Sequence, residues 1–292
     1  MSGVTGAERV RSRDDFVQFV DEYREVISNF PGFVDMTVSG SYNSDPRKTT
    51  FGDIDLIIQI GNCADKRLVK ELMVDYFLTF SNDVIVPFTS AKYAGKRTNN
   101  AGELVSIRFY SKTLGYSVQI DNIVALSAEE ADFKLQFLNL PAEKQGLILG
   151  LVKVAAIECV PESLSELLGI KDVYSYSLKI MDTEWEFSLS SSKLELRLVH
   201  YKPGTTEHLQ HDIYWTSQNW DDVRKLLCQY DLDKPFHELL IDVKNTIENP
   251  RSAKRIMGLF KSMVTVKSGE VGTPKGEIKE RALTQVALCL TQ

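Results

Sequence analysis

Val38-Ser-Gly40-Ser41-Tyr-Asn-Ser-Asp-Pro-Arg-Lys48-Thr-Thr-Phe-Gly52-Asp53-Ile54-Asp55-Leu-Ile-Ile-Gln-Ile60 is the stretch that decides how the chain is read. Ile54 to Ile60 is a near-continuous apolar run of strand length, the pattern of a buried strand. Asp53 and Asp55 stand two apart at its mouth, so their carboxylates share a face. At a rise of about 3.3 Å per residue their Cα atoms lie roughly 6 to 7 Å apart. Carboxylates that close repel one another unless a cation sits between them. Hard oxygen donors select magnesium or manganese, and a pair of ions about 3.5 to 4 Å apart suits such a site. Upstream, a short strand over Phe33 to Val38 leads into Gly40-Ser41, which offers backbone N–H groups and a hydroxyl to a phosphate. Metal ions beside a phosphate cradle are the machinery of phosphoryl or nucleotidyl transfer.

The elements around this stretch follow from periodicity. Asp14 to Ser28 carries apolar residues at helical spacing behind a Ser12 cap, and Pro31-Gly32 ends that helix. Asp65 to Phe80 is expected as a helix, and Val84 to Phe88, Glu103 to Tyr110 and Tyr116 to Val124 as strands. The last two are joined as a hairpin by Ser-Lys-Thr-Leu-Gly. From Ala128 to about Leu168 the pattern is helical, with Pro141 and Pro161 at helix starts. A second region begins near Lys171. Trp185, Phe187 and Leu189 alternate with polar residues, as do Leu194, Leu196 and Leu198, so an antiparallel sheet is expected there. After Trp215 the chain turns helical again, with Asn219 and Asp233 as N-caps, and Glu277 to Leu290 reads as a final helix.

Composition narrows the class. The chain has 292 residues, 43% hydrophobic and 25% charged, which excludes a disordered or fibrous protein and allows two domains. Cys63, Cys159, Cys228 and Cys289 form no close pair, which argues against a zinc ribbon or disulfide scaffold and for a reducing compartment. Met1 to Asp15 has no apolar core, and the most apolar run, Leu147 to Ile157, is too short to span a bilayer. A soluble cytoplasmic protein is therefore expected. The net charge of −6 is unevenly spread. Arg251 to Arg281 carries a net +5, from eight Lys/Arg and three Glu, which leaves −11 for residues 1 to 250. A basic segment on an acidic body suits local contact with a polyanion, although such a run is also an ordinary solvated face.

The order of apolar strand, Gly-Ser, spacer, then Asp-x-Asp opening the next strand resembles the DNA polymerase beta-like nucleotidyltransferase superfamily. Here 11 residues separate Ser41 from Asp53. Gly-Ser-Tyr … Gly-Asp-Ile-Asp-Leu-Ile-Ile also looks like family X polymerases and nucleic-acid-tailing enzymes. The likeness covers roughly residues 12 to 160. It implies a polymerase-beta-like palm, a mixed sheet flanked by helices, over residues 1–168; the strand and helix patterns beyond add a C-terminal α+β domain over 169–292 that carries the basic segment, so an α+β chain is expected. The likeness further implies that Asp53 and Asp55 hold two Mg2+ ions, for which Mn2+ substitutes. Asp121, in Tyr116-Ser-Val-Gln-Ile-Asp-Asn-Ile-Val, is the best match to the family's third carboxylate. It would ligate the catalytic ion and take the proton of the acceptor hydroxyl. Glu103 is the rival for that place. Gly40 and Ser41 would hold the diphosphate of the NTP.

Other residues are candidates for binding the nucleotide: Lys48 in the loop, Arg108 on a central strand, and Lys275 in the glycine loop of the basic segment. That loop, Gly269 to Gly276, is not a P-loop, because Pro274 stands where the second glycine belongs. Lys96-Arg97 could neutralise a triphosphate or be a solvated loop. Asn43-Ser44-Asp45 replaces the basic residues that follow Gly-Ser in family X polymerases, so template-independent transfer is expected. The expected function is NMP transfer from an NTP to an acceptor hydroxyl, with the 3′ end of an RNA, such as a tRNA, as the acceptor that suits the basic segment. The same chemistry serves transfer to a protein or a small molecule such as an antibiotic, or synthesis of a nucleotide second messenger. A palm that binds nucleotide or nucleic acid without reacting is the alternative of another class. His208 and His211 read as surface histidines, and Trp185 and Phe187 as core.

Overall fold

The computed structural model describes residues 5–158, 183–205 and 207–247, together with positions 252 and 256. The chain is α+β and divides into two compact units, Met1–Pro141 and Ala142–Gln292. The division expected near residue 168, the Pro161 helix start, the glycine loop with Lys275, and the last helix all fall outside the described residues.

The first unit is a five-stranded mixed sheet of β1 (Phe33–Ser39), β2 (Ile54–Ile60), β3 (Thr98–Ala101), β4 (Leu104–Ser111) and β5 (Tyr116–Ala125), in the order β1-β2-β5-β4-β3. Of its strand pairs, the central β2–β5 pair is parallel and the others are antiparallel. Period two along each strand assigns the faces. Met36, Ile54, Leu56, Ile58, Val105, Ile107, Phe109, Val118, Ile120 and Val124 enter one apolar core. Helix α1 (Arg13–Ile27) closes this core with Phe16, Phe19, Val20, Tyr23 and Ile27, at three- and four-residue spacing. Ser12 caps it by accepting from the Asp15 N–H. Helix α3 (Lys66–Leu78), capped by Asp65, adds Val69, Met73 and Phe77. The odd-numbered residues of β5, Ser117, Gln119 and Asp121, lie on the opposite face, where helix α4 (Ala128–Leu138) packs on β1, β2 and β5.

Two local expectations are corrected. Val84 to Phe88 is not a strand: Ile85 makes a single bridge to Phe109, and Pro87 has no N–H with which to continue a ladder. Val86 N–H donates to the Arg108 carbonyl (2.8 Å) and Tyr110 N–H to the Val84 carbonyl (3.0 Å), so this segment closes the β4 edge where β3 stops. Conversely, the polar stretch Thr98–Ala101, which lacked any strand pattern, is the edge strand β3.

The second unit holds α5 (Ala142–Glu158), an antiparallel sheet β6-β7-β8 (Thr183–Leu189, Leu194–Tyr201, His208–Ser217), α6 (Trp220–Leu226) and α7 (Phe236–Thr246). Helix α5 packs on β6, α6 and α7. The sheet follows the alternation seen in the sequence for β6 and β7; β8 was not expected. Phe187 is fully buried, Trp185 is half-buried edge-on to Tyr214, and His208 and His211 are exposed on β8. Asn219 caps α6 as expected, by accepting from the Asp221 N–H. Asp233 does not cap α7; its carboxylate pairs with Arg224 instead, 3.0 and 3.1 Å from the two Nη atoms. Cys63 and Cys228 are free thiols, and among the described residues no helix is long and apolar enough to cross a membrane.

Candidate active site

Strand register builds the site. Asp55 pairs with Ser39 of β1 on one side and with Asp121 of β5 on the other, and Asp121 pairs in turn with Ser106 of β4. Four adjacent strands therefore carry one row, Ser39–Asp55–Asp121–Ser106, on the face away from the apolar core. Asp53 precedes β2 by one residue and shares the face of Asp55 by the same alternation. The sequence places the first two acids together by local spacing. Only the parallel pairing of β2 with β5 brings Asp121, 66 positions along from Asp55, beside them.

Gly40 lies against this row. It joins β1 to the single-turn helix α2 (Ser41–Ser44), with φ +72° and ψ −146°, a conformation that side-chain-bearing residues avoid. An ideal Cβ on Gly40 would stand 2.3 Å from Asp55 Oδ2, so only a glycine lets the backbone approach that carboxylate. Ser41 is half-buried at the first position of α2. Arg13 fixes the loop from Tyr42 to Lys48: its guanidinium donates to the carbonyls of Tyr42 (2.8 Å) and Lys48 (2.9 Å) and lies 4.2 Å over the Tyr42 ring.

The electrostatics follow from crowding acids into a partly dehydrated row. Burial, then the charges of Asp53 and Asp121, push Asp55 up to about 8. Burial and Asp53 push Asp121 up to about 6, against hydrogen bonds from Ser106 and Gln119 that favour its charged form. Asp53 is raised by burial, with the positive charges of Lys48 and Arg9 opposing. Lys48 is itself lowered by burial, and the nearby Arg9 adds to this while Asp53 and Asp55 oppose it. Lys48, a candidate from the loop, thus lies within electrostatic reach of Asp53 and Asp55. Arg9 was not anticipated: its Nη1 would lie 3.7 Å from a Cβ on Gly52, next to Asp53.

Arg108 shares the face of Asp121 through its pairing with Gln119, but its guanidinium turns to the Ser117 hydroxyl (2.8 Å) and the Pro87 carbonyl (3.3 Å). Glu103, the rival third acid, lies at the β3–β4 turn and pairs with the buried Lys134, far in register from Asp55. Arg97 donates to the carbonyls of Phe77, Leu78 and Phe80 at the C-terminal end of α3, a structural cap.

Among the described residues no three His, Cys, Asp or Glu side chains are drawn together into a ready-made metal cage. The fit to a divalent cation is one of donor chemistry: hard carboxylate oxygens raised by burial, with the charges of Asp53 and Asp121 adding to this at Asp55 and that of Asp53 at Asp121, a cost that a divalent ion would relieve.

No protein-family model matches this chain, and no curated protein matches it.

Proposed function

We propose that the chain is a metal-dependent nucleotidyltransferase with a polymerase-beta-like palm, and that it moves NMP from an NTP to an acceptor hydroxyl. The observation that carries this reading is the row in which Asp55 lies between Gly40 and Asp121 on adjacent strands, with Asp53 beside it. Asp53 and Asp55 would hold two Mg2+ ions, with Asp121 a ligand of the catalytic one, and the bound ions would supply Lewis-acid polarisation of the phosphate oxygens. The reaction forms a bond from the acceptor oxygen to the α-phosphorus and breaks the α–β phosphoanhydride, so that diphosphate leaves. Gly40 and Ser41 hold the leaving diphosphate through backbone N–H groups and the Ser41 hydroxyl. Lys48 and Arg9 set positive charge beside the acids, where polyphosphate charge needs compensation. Asp121 would take the proton of the acceptor hydroxyl.

The 3′ end of an RNA is the acceptor class we favour, because residues 251–281 carry net positive charge on an otherwise acidic chain. The test is incubation with each α-labelled NTP and Mg2+, with and without total RNA, beside the Asp53→Ala/Asp55→Ala double variant. Label entering RNA, and lost in the variant, supports the full reading. Label entering only protein or small products keeps the chemistry and removes RNA as acceptor. Absence of transfer in every condition moves the chain to the non-reacting class.

A further inference from the structure

The segment from Thr5 to Val10 crosses the strands that carry the acids. Glu8 bridges Val118 of β5, with its N–H donating to the Ser117 carbonyl (3.1 Å). Val10 bridges Phe51, just before Asp53, through a reciprocal pair of hydrogen bonds at 2.9 and 3.1 Å. At its start, Thr5 and Gln119 are both buried, and they meet each other rather than solvent. Thr5 N–H and the Thr5 hydroxyl lie 3.4 and 3.1 Å from Gln119 Oε1. Gln119 Nε2 lies 3.0 Å from each oxygen of Asp121.

We propose that Gln119 is a positioning residue for the Asp121 carboxylate and that Thr5 sets which way round its amide lies. An amide can turn over and exchange its oxygen and nitrogen, and the neighbours decide between the two states. A backbone N–H only donates, so Thr5 N–H requires the Gln119 oxygen on its side, and this leaves the NH2 facing Asp121. The Thr5 hydroxyl adds a second bond in the same sense. It accepts from the Ala7 N–H at 3.3 Å and, with the amide oriented by the backbone N–H, donates its proton to Gln119 Oε1; its second lone pair means that the hydroxyl alone would accept either end of the amide. The chain of donors thus runs in one direction, from Ala7 through Thr5 and Gln119 to Asp121, in a region closed to water. With the Ser106 hydroxyl on the same carboxylate, Asp121 is held in one orientation before any ligand arrives. The inference rests on the reading of Asp121 as a metal-holding carboxylate, and it assigns to residues 5–10 a part in the site that no motif in the sequence marks.

The experiment titrates Mn2+ into the full-length chain and counts the free ion by its electron paramagnetic resonance signal. The samples are wild type, Gln119→Met, Thr5→Val and Thr5→Ser, with metal-free melting recorded on each. Gln119→Met keeps length and loses the amide; the expected result is Mn2+ binding weakened about tenfold or more, the usual effect of removing a partner behind a ligand. Thr5→Val keeps shape and the backbone N–H but loses the hydroxyl that supports the amide orientation, so it weakens binding by a smaller factor, and Thr5→Ser restores it. A purely structural role would lower the melting temperature of Gln119→Met and Thr5→Val while leaving their Mn2+ affinity at the wild-type value, and that result would overturn the proposal. Wild-type protein that binds no Mn2+ overturns the proposal together with the reading beneath it. Wild-type protein that binds Mn2+ with the expected ranking of variants, yet transfers no nucleotide, overturns the transferase reading alone and leaves the positioning role supported.

Discussion

Replacing Gly40 with alanine separates backbone strain from loss of the site. The residue sits at φ +72° and ψ −146°, which costs a side-chain-bearing residue about 1–3 kcal/mol. Loss of glycine's freedom in the unfolded chain offsets about 0.4–1 kcal/mol of that. The new methyl would also stand 2.3 Å from Asp55 Oδ2, 3.1 Å from its Cγ and 3.2 Å from its Cβ. Turning the carboxylate relieves only the first of these contacts, so the two strands must also shift, and the substitution costs stability beyond the strain as well as displacing the carboxylate from the site. Two other glycines calibrate this. At Gly115, with φ +73°, an added methyl would meet nothing within 4 Å, so Gly115→Ala reports strain alone. Gly52 meets only Arg9 Nη1, at 3.7 Å, and Gly52→Ala reports neither effect. For a unit of this size about 1 kcal/mol shifts the melting temperature by roughly 2–4 °C. Gly115→Ala is therefore expected to melt a few degrees below wild type in the absence of metal, and Gly40→Ala further below. The assay is thermal melting with and without Mn2+ and NTP, where ligand stabilises by RT ln(1 + [L]/Kd). Wild type, Gly52→Ala and Gly115→Ala should rise by the same amount on adding ligand, and Gly40→Ala should hardly rise. A ligand-induced shift in Gly40→Ala equal to that of Gly115→Ala would refute the argument that Asp55 and its contact with Gly40 form the site.

Three further outcomes follow from the geometry. Asp55 and Asp121 are held above the ordinary carboxylate range, so in EDTA these two groups bind more protons in the folded than in the unfolded chain between about pH 4 and pH 8. The melting temperature of wild type should then fall relative to that of Asp55→Asn as pH rises through that window; a difference between the two that stays constant contradicts the raised proton affinity of Asp55. Tyr23 donates to the Asn122 side-chain oxygen at 2.5 Å inside the core, so Tyr23→Phe strands a buried acceptor and should cost about 1–3 kcal/mol in urea unfolding. Lys134 is fully buried between Glu103 and Glu130, and because Lys66 still pairs with Glu130, Lys134→Ala should cost about 1–3 kcal/mol through the lost buried bonds. Equal unfolding midpoints for Lys134→Ala and wild type would place no weight on that ion cluster.

The sequence made β2, β5 and α1 legible because each carries a strong periodic signal: an apolar run after Asp53, alternation through Asp121, and a heptad-like stripe behind Ser12. It hid β3 and β8 because Thr98–Ala101 and His208–Ser217 are polar or exposed edge strands whose pairing partners, not their own side chains, make them strands. The apolar text from Val84 to Phe88 misled in the other direction, since Pro87 interrupts the ladder that its composition suggests. At the candidate site, Asp53, Asp55 and Gly40 could be named from spacing alone. Ser106 and Arg9 could not, because they join the acids only through cross-strand register and through the bridge of Val10 to Phe51, whereas Gln119 shares the face of Asp121 by alternation along β5 but nothing local marks its tie to Thr5. The Thr5–Gln119–Asp121 chain spans more than a hundred positions, and nothing in either local stretch announces it.

The most direct test supplies NTP labelled with 32P at either the α or the γ position to the full-length chain with Mg2+ and total RNA. Asp55→Asn and Asp121→Asn are run in parallel. The account predicts that α-label becomes covalently attached to an acceptor while γ-label leaves in diphosphate, and that both events are lost in each variant. Attachment of γ-label, or α-label transfer that persists without Asp55 and Asp121, would contradict it.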